Sequence, residues 1–413
     1  MSESATVVGR ILACVTVVVL GACSGLQPER SAAPTASPPS IPLQIEVVQE
    51  GLSIPWDLAF APDGRMFVTE RRGRVQMYAS GEPGAALLAT IEVPDVRAVG
   101  ESGVMGIAVD REFDDHPFLY VCASRDADGE EGGAPWINEL LRFRVTEDDL
   151  ELEGPLFEST IIANRQHDGC AVEMDADGHL WMATGDALGR IPGYAQLDIL
   201  NGKVLRLNRD GSIPDDNPVT FGDAPGYVYS FGHRNPQGLA LQPGTGQVYT
   251  VEHGTTTNDE INRIEPGGNY GWPCYLAGDV IPDEHGGHED LEIECGPPED
   301  YLPAVWASGD STLATSGLTF VSGDAWGSWD GNLIAATLKE SDLRRFVLDE
   351  DGRPQMAEVL LDEAYGRLRA AVMGPDGALY VTTSNAGNRS KEGMSPAPEE
   401  FDDVVIRIAP AGG

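Results

Sequence analysis

Basic residues are scarce in this sequence. Its 413 residues include 27 Lys and Arg against 66 Asp and Glu, which gives a formal net charge of −39 at pH 7. Nucleic-acid-binding proteins need clustered Lys and Arg to displace phosphate counterions, so the composition excludes that class. The same charge would repel an acidic substrate but not a neutral sugar, although acidity of this kind also serves solubility alone.

Long hydrophobic runs are also missing. The apolar run Ile11–Leu20 is too short to span a bilayer but has the length of a signal-peptide core. It leads into Leu-Gly-Ala-Cys, which resembles the bacterial lipobox, in which the cysteine, here Cys23, is lipidated and becomes the first mature residue. We expect a lipoprotein signal peptide at 1–22, a Ser/Ala/Pro-rich tether at 23–41 and one large domain at 42–413.

The N-terminal sequence predicts the cellular location of the protein. A lipoprotein would lie outside the cytoplasm, in the periplasm or on the cell surface, and would be attached to the membrane through its lipid only. An ordinary signal peptide with a coincidental cysteine is the alternative.

Cysteines are few, and two of the six lie in the expected leader and its lipobox. The other four are Cys122, Cys170, Cys274 and Cys295, and no Cys-x-x-Cys spacing favours a zinc site. An even number in an oxidising exterior indicates two disulfides, while spacing alone leaves three pairings open. We prefer Cys274 with Cys295, which close one loop, and this leaves Cys122 for Cys170.

No long amphipathic helical pattern is present, and short strands with turns prevail instead. Six segments begin with a turn and continue as an alternating strand: PDGRMFVTE, DDHPFLYVCAS, DADGHLWMATGD, GTGQVYTVEHG, WDGNLIAATL and PDGALYVTTSN. A second short apolar strand precedes each of them: PWDLAFAP, GVMGIAVD, GCAVEMD, NPQGLALQ, SGLTFVSG and LRAAVMG.

Six repeated hairpins predict an all-β fold, a six-bladed β-propeller of four-stranded antiparallel blades. We expect the first strand, around Ile45–Val48, and the last, Val404–Ile408, to share one blade and close the ring. A jelly roll or two β-sandwiches have similar composition but would not explain six similar hairpins. Loops on one face of a propeller converge over its channel, so chemically active residues should lie at equivalent strand ends.

Such residues are present. His167 opens one strand and Asp186 ends the next, as expected for a general base and its supporting carboxylate. Five further polar residues lie at strand ends in other blades: Arg234, Asn235, Lys339, Arg367 and Arg369. Four of these are cationic in an acidic protein, which indicates an anionic ligand. The alternative is that His167 is an ordinary loop histidine, that Asp186 is a turn residue and that the cations form unrelated surface salt bridges.

Long blocks of the sequence resemble the soluble glucose and sorbosone dehydrogenases that depend on pyrroloquinoline quinone (PQQ), including bacterial aldose dehydrogenases. They include HDGCAVEMDADGHLWMATGD, YSFGHRNPQGLAL and RLRAAVMGPDGALYVTT, and the similarity covers nearly all of the mature chain. The resemblance implies PQQ and calcium as cofactors and oxidation of an aldose, or a related alcohol, to a lactone. Electrons would then pass to a quinone or a small redox carrier.

The resemblance also implies roles for single residues. His167 would take the hydroxyl proton while a hydride passes to PQQ, and Asp186, also near the substrate, would support it. The implied cofactor-binding residues are His167, Arg234, Asn235, Lys339, Arg367 and Arg369. Arg234 would in addition stabilise the charge on the cofactor. The carbonyls of Gly254 and Thr255 match the calcium ligands, and Glu101 matches a polar position near the sugar.

One departure from the family concerns the segment after the histidine. This chain has Gly169-Cys170-Ala171 where members commonly have Gly-Gly-Arg, which suggests a pocket floor tied differently, through Cys170 and Cys122. Two other functions stay open. A non-catalytic propeller that binds carbohydrate or protein would have lost the base or the cationic cluster, and a lactonase-type hydrolase would need carboxylates on the axis.

Overall fold

The computed structural model describes residues 40–126, 136–189, 199–221, 224–276, 279–280, 295–387 and 403–412. The expected signal peptide, the expected lipidation site Cys23 and nearly all of the expected tether lie outside the described residues. Within the described ranges, no helix is long and apolar enough to cross a membrane.

Nearly all regular structure in the described residues is β-strand. In chain order the strands are β1 (Leu43–Leu52), β2 (Pro55–Phe60), β3 (Met66–Glu70), β4 (Arg74–Tyr78), β5 (Leu87–Glu92), β6 (Val104–Val109), β7 (Phe118–Asp126), β8 (Trp136–Val145), β9 (Leu150–Pro155), β10 (Gly169–Met174), β11 (His179–Thr184), β12 (Lys203–Asn208), β13 (Thr220–Phe221), β14 (Ala224–Pro225), β15 (Val228–Phe231), β16 (Pro236–Leu241), β17 (Val248–Glu252), β18 (Glu260–Arg263), β19 (Tyr275–Leu276), β20 (Asp279–Val280), β21 (Trp306–Ala307), β22 (Thr315–Phe320), β23 (Leu333–Thr337), β24 (Leu343–Leu348), β25 (Pro354–Leu360), β26 (Leu368–Met373), β27 (Leu379–Thr383) and β28 (Asp403–Pro410). Short 3₁₀ helices cover Ala187–Gly189, Pro298–Asp300 and Asp324–Trp329.

These strands form six antiparallel sheets of four strands, which we number as blades 1 to 6. The blades are β2-β3-β4-β5, β6-β7-β8-β9, β10-β11-β12-β15, β16-β17-β18-β21, β22-β23-β24-β25 and β26-β27-β28-β1. The pairs β13-β14 and β19-β20 are separate two-stranded hairpins.

The first strand of each blade lies on the axis of a closed ring. β2 contacts β6, β6 contacts β10, and so on to β26, which contacts β2 again. A narrow cavity is lined by residues from all six of these inner strands. Six hydrophobic clusters fill the space between blades, one at each junction of neighbouring blades. Apolar burial between blades therefore holds the ring. The axial cavity is lined by apolar residues together with a few polar ones, among them Asp57 and Arg369.

Glycine allows two inner strands to approach their neighbours closely. A Cβ on Gly106 of β6 would lie 2.2 Å from the Cys170 carbonyl oxygen of β10, and one on Gly238 of β16 would lie 2.1 Å from the Ser316 carbonyl oxygen of β22. Neither distance is sterically possible, so a side chain at either position would force the inner strands apart.

The fold expected from the sequence is confirmed, a six-bladed propeller in which each repeated hairpin forms the first two strands of one blade. β1 pairs with β28 in a register that sets Ile45 opposite Ile408, so the two ends of the domain close one blade. The preferred disulfides are also confirmed: Cys274 bonds Cys295, and Cys122 bonds Cys170. The second bond joins β7 of blade 2 to β10 of blade 3, and β10 is the strand that follows His167.

Candidate active site

One end of the ring collects residues from several blades, because the start of an inner strand and the end of its hairpin partner lie at the same edge of a sheet. Asn235 directly precedes β16 and Arg367 directly precedes β26. Asp186 lies just after β11, and His253 follows β17. A cavity of about 220 Å³ opens at this end and is lined by residues that include Trp56, Arg71, Glu101, His253, Arg367 and Arg369.

A larger cavity of about 780 Å³ opens where the inner strands end, at the other end of the ring. Hairpin-turn residues such as Asp175 and Gln242 line it, and none of the candidate site residues does. Glu101, Arg367 and Arg369 line the smaller cavity, whereas His167 and Arg234 do not line it. The His167 backbone N–H donates to the lining residue Glu101, so the smaller cavity is the candidate active site.

His167 and Asp186 form a hydrogen-bonded pair. The Nδ1 atom of His167 lies 2.7 Å from Oδ1 of Asp186, the His side chain is 12% exposed and the Asp side chain is 1% exposed. The carboxylate also accepts the Leu188 N–H at 2.9 Å and, through Oδ2, the Trp272 indole N–H at 2.8 Å. A carboxylate bonded at Nδ1 selects the tautomer with its proton there, which leaves Nε2 free to accept a proton.

Glu101 ties the loop that carries His167 to the fourth blade. Its Oε2 accepts the His167 backbone N–H at 2.9 Å and the Asn235 side-chain amide at 3.3 Å. Burial opposes its ionisation, but His253, His167 and the His167 N–H more than offset this effect, so the pKa of Glu101 lies below its usual value. His167 itself has a φ of 61°, an uncommon conformation for a residue with a side chain, and this anchored loop holds it there.

Arg369 is a buried cation that lines the same cavity as Glu101. Its guanidinium carbon lies 3.4 Å from the centre of the Trp56 ring, and its Nη1 donates to Gln237 Oε1 at 3.0 Å. Burial lowers the pKa of Arg369 to about 9; Glu101 opposes this shift, and the neighbouring Arg367 and Arg71 add to it. Three guanidinium groups, those of Arg71, Arg367 and Arg369, therefore share one cavity with the Glu101 carboxylate.

Arg234 approaches the same region from the fourth blade. Its Nη1 donates to the carbonyls of His253 and Gly254 at 3.1 and 2.8 Å, and burial lowers its pKa. The Nε atoms of both Arg234 and Arg369 are buried without a hydrogen-bond partner among the described residues. Buried guanidinium donors of this kind are stabilised by an anion that accepts them. The chemistry of these donors fits a ligand that carries several carboxylates, as PQQ does.

Lys339 is less closely engaged. It lies in the turn after β23, its side chain is 50% exposed, and its Nζ donates to the Thr312 carbonyl at 2.7 Å. The preceding Leu338 accepts Arg367 Nη1 at 3.0 Å, so Lys339 is at the rim of the cavity rather than among its lining residues.

The two carbonyls expected to hold calcium do not fit the ion as they stand. The Gly254 carbonyl accepts the Arg234 guanidinium, and a calcium ion on the same oxygen would meet that positive charge. Thr255 follows and is half-buried. The nearby Asp259 carboxylate is engaged by backbone N–H groups of Gly254, Leu313 and Thr315 at 2.9, 2.8 and 3.2 Å, which is a structural role.

A second group of possible metal ligands, Asp175, Asp177 and His179, lies in the turn between β10 and β11. This turn is at the opposite end of the ring from the candidate site. Asp175 already bonds the Trp181 indole at 2.9 Å and the His179 ring at 3.2 Å, so the group serves the turn itself.

Sequence reasoning missed several residues of the site. Arg71 and His253 line the cavity because each directly follows the second strand of its hairpin, as Asp186 does one residue further on in blade 3. Comparing the residue after each second strand would have identified both. Trp272 reaches Asp186 from a long loop outside the repeat, and no sequence spacing indicates that contact.

Asp168 is a further buried carboxyl at the site. It accepts the Asn164 N–H and the Ser102 hydroxyl, each at 2.8 Å, and so joins the loops that carry His167 and Glu101. Burial, assisted by the charge of Glu101, raises the pKa of Asp168 to about 7 despite these hydrogen bonds. The folded protein thus keeps a proton on Asp168 at pH values where the unfolded chain has released it.

This shift predicts a pH dependence of stability. The contribution of Asp168 is fully present below its ordinary pKa of 3.8 and is lost as the pH rises through about 7. We expect the free energy of unfolding, measured in urea, to fall between pH 5 and pH 8 more steeply in the wild type than in Asp168→Asn, which stays neutral. The exposed Asp177→Asn serves as the control. Equal slopes for the wild type and Asp168→Asn would contradict the assignment.

Comparison with known proteins places these residues in a family context. The family model for glucose/sorbosone dehydrogenases matches residues 52–391. The chain is 32% identical over 368 residues to the aldose sugar dehydrogenase YliI of Escherichia coli, an alignment that covers 86% of this chain and 93% of that protein. It is 27% identical over 417 residues to quinoprotein glucose dehydrogenase B of Acinetobacter calcoaceticus, covering 84% of this chain and 86% of that protein.

Solved structures show the same similarity. The PQQ-bound form of an aldose sugar dehydrogenase from Streptomyces coelicolor superposes with a TM-score of 0.67 and 25% sequence identity, and the alignment covers 90% of this chain and all of that one. The similarity therefore extends over the whole propeller and is not limited to one blade.

Proposed function

Because this chain belongs to the glucose/sorbosone dehydrogenase family, we propose that it oxidises aldose sugars, or related alcohols, at the anomeric hydroxyl to lactones, with PQQ as its cofactor. The observation that carries the proposal is that the His167–Asp186 pair lies at the same end of the ring as two buried arginines. The Asp186 N–H donates to the Arg234 carbonyl at 2.9 Å, and Glu101, which accepts the His167 N–H, lines the cavity together with Arg369. The cations match a tricarboxylate guest, and the imidazole is the base that the reaction needs.

PQQ, when bound, supplies the ortho-quinone that accepts the substrate hydride. The protein's own residues handle the proton and the orientation. His167 takes the hydroxyl proton on Nε2, while Asp186, bonded at Nδ1, stabilises the imidazolium that results. Glu101 fixes the backbone of His167 and is near enough to the cavity to meet a sugar hydroxyl. Arg234, Asn235, Arg367 and Arg369 hold the cofactor, with Lys339 contributing at the rim.

Calcium binds, in this proposal, only together with PQQ. Arg234 must release the Gly254 carbonyl before the carbonyls of Gly254 and Thr255 can accept an ion, and an anionic ligand gives the guanidinium another partner. No catalytic step is assigned to the ion.

Because Arg234 must leave the Gly254 carbonyl before calcium binds, we predict that PQQ and calcium bind cooperatively. By thermodynamic linkage, each ligand raises the affinity for the other by the same factor. In isothermal titration calorimetry, we expect calcium to bind the apoprotein weakly and the PQQ complex at least about tenfold more tightly, a coupling of about 1.4 kcal/mol. Arg234→Ala, in which the carbonyl is free at the outset, should lose most of that difference. Calcium affinity that is equal with and without PQQ in the wild type would contradict the condition.

The proposal includes a location outside the cytoplasm, with a lipid on Cys23 as the membrane attachment and a quinone or small redox carrier as the electron acceptor. The Leu-Gly-Ala-Cys sequence supports the lipidation site. Two disulfides support an oxidising compartment, because cytosolic thiols are kept reduced.

The function is tested by reconstitution. Purified apoprotein is incubated with PQQ and calcium and assayed with a redox dye over a panel of aldoses, with PQQ alone and calcium alone as controls. Dye reduction that requires both sugar and PQQ is the expected result. Sugar binding without dye reduction would instead favour the non-catalytic carbohydrate-binding propeller.

A further inference from the structure

Trp272 contacts both the carboxylate of the His167–Asp186 pair and one of the cations of the candidate site. Its indole N–H donates to Asp186 Oδ2 at 2.8 Å, and the Arg234 guanidinium carbon lies 5.2 Å from the centre of its ring. The same side chain thus contacts the carboxylate that supports the base and one of the cations expected to hold the cofactor.

The loop that carries Trp272 is itself fixed. The Trp272 N–H donates to the Gly232 carbonyl at 3.0 Å and the Tyr270 N–H donates to the Phe231 carbonyl at 2.9 Å, so this stretch is bonded along the end of β15. Two residues later, Cys274 is bonded to Cys295. Trp272 as a whole is 6% exposed. A side chain held this firmly can set the orientation of its neighbours.

The orientation of Asp186 depends on donors to each of its oxygens. Oδ1 bonds both His167 Nδ1 and the Leu188 N–H, whereas the hydrogen bond to Oδ2 comes from Trp272. Without the indole N–H, the carboxylate would lose the bond that fixes its plane, and Oδ2 would be buried without this donor. His167 would then be held in its tautomer and direction less firmly.

We infer that Trp272 is a positioning residue that aligns Asp186 with His167 through its indole N–H and supports Arg234 through its ring face. This inference rests on the proposed function, because it assigns Trp272 to the proton transfer of the same site. The indole N–H of Trp272 affects turnover, whereas its ring affects cofactor retention. Two substitutions therefore separate the two roles.

Trp272→Phe keeps an aromatic face but removes the N–H, and Trp272→Leu removes both. We expect Trp272→Phe to lower kcat by about tenfold with KM and PQQ affinity unchanged, as for loss of one buried hydrogen bond. Trp272→Leu should lower kcat similarly and in addition weaken PQQ binding by about three- to tenfold, because the cation loses its aromatic partner. Trp306→Phe, at an indole that packs on Phe346 and does not line the cavity, is the matched control.

A spectroscopic readout separates positioning from general damage. The hydrogen-bonded Nδ1 proton of His167 should give a downfield proton NMR signal in the apoprotein, assigned by its loss in His167→Gln. In Trp272→Phe we expect this signal to shift or broaden while circular dichroism shows that the protein remains folded. Wild-type kcat together with an unchanged signal in Trp272→Phe would overturn the inference. If the wild type shows no PQQ-dependent activity, the proposed function fails, while the NMR comparison still decides the positioning role.

Discussion

His167→Ala is expected to lose turnover by about 10²- to 10⁴-fold while it still binds PQQ. The imidazole is the group that takes the substrate proton, and the Asp186 bond at Nδ1 leaves Nε2 as its only acceptor atom. The cofactor is retained because guanidinium groups from other blades supply most of its charge complement. Steady-state kinetics with a redox dye, together with calorimetric titration of PQQ, measures both quantities.

His116→Ala is a matched control, since His116 is 41% exposed and its Nε2 lies 3.8 Å from the Glu112 carboxylate. It should keep wild-type kcat. Turnover in His167→Ala within about tenfold of the wild type would remove His167 from the role of general base. Loss of PQQ binding equal to that in the arginine variants would place His167 in cofactor retention instead.

Arg369→Ala is expected to weaken PQQ binding by about 10- to 100-fold, which corresponds to about 1.5–3 kcal/mol for the loss of charged hydrogen bonds in a buried site. Arg369 is buried against Trp56, and its Nε is left without a partner in a cavity that Arg367 also lines. Removing one of several crowded cations relieves repulsion in the apoprotein but withdraws a donor from the bound anion. Binding is measured by titration of the apoprotein with PQQ.

Arg369→Lys separates charge from geometry. An ammonium keeps the charge but lacks the planar fork and the stacking on Trp56, so we expect only partial recovery of affinity. Arg353→Ala, at a guanidinium that is 57% exposed, should bind PQQ as the wild type does. Wild-type affinity in Arg369→Ala, with an unchanged melting temperature, would show that the cationic cluster does not hold the cofactor.

The propeller was predictable because its signals are local. An Asp-Gly or Gly-rich turn between two short apolar strands defines a hairpin within about twenty residues, and repetition of such a hairpin defines the ring. Ring closure followed from the apolar strands at the two ends of the domain, which the Ile45–Ile408 register confirms. Asp186 and Arg367 were located for the same reason, since equivalent strand ends meet at one mouth.

What the sequence could not predict depends on long-range contacts. The Gly254 carbonyl carries no sequence signal of its direction, and it is the fold that turns it to the Arg234 guanidinium. Lys339 lies just beyond the end of β23, and its flexible side chain donates to the Thr312 carbonyl at the rim. Trp272 reaches Asp186 across a separation of 86 residues from a loop that belongs to no hairpin of the repeat. The periodicity of the strands does not indicate any of these three contacts.

A single-turnover measurement without oxygen or dye tests directly whether the protein reduces PQQ with an aldose and whether His167 is the base. Apoprotein reconstituted with PQQ and calcium is mixed with one equivalent of an aldose, and the absorbance of the oxidised quinone is followed. We predict that the wild type loses this absorbance with a stoichiometry of about one quinone per sugar, while His167→Ala with bound PQQ stays oxidised over the same time. Failure of the wild-type protein to bind PQQ, or equal quinone reduction in both proteins, would contradict the account.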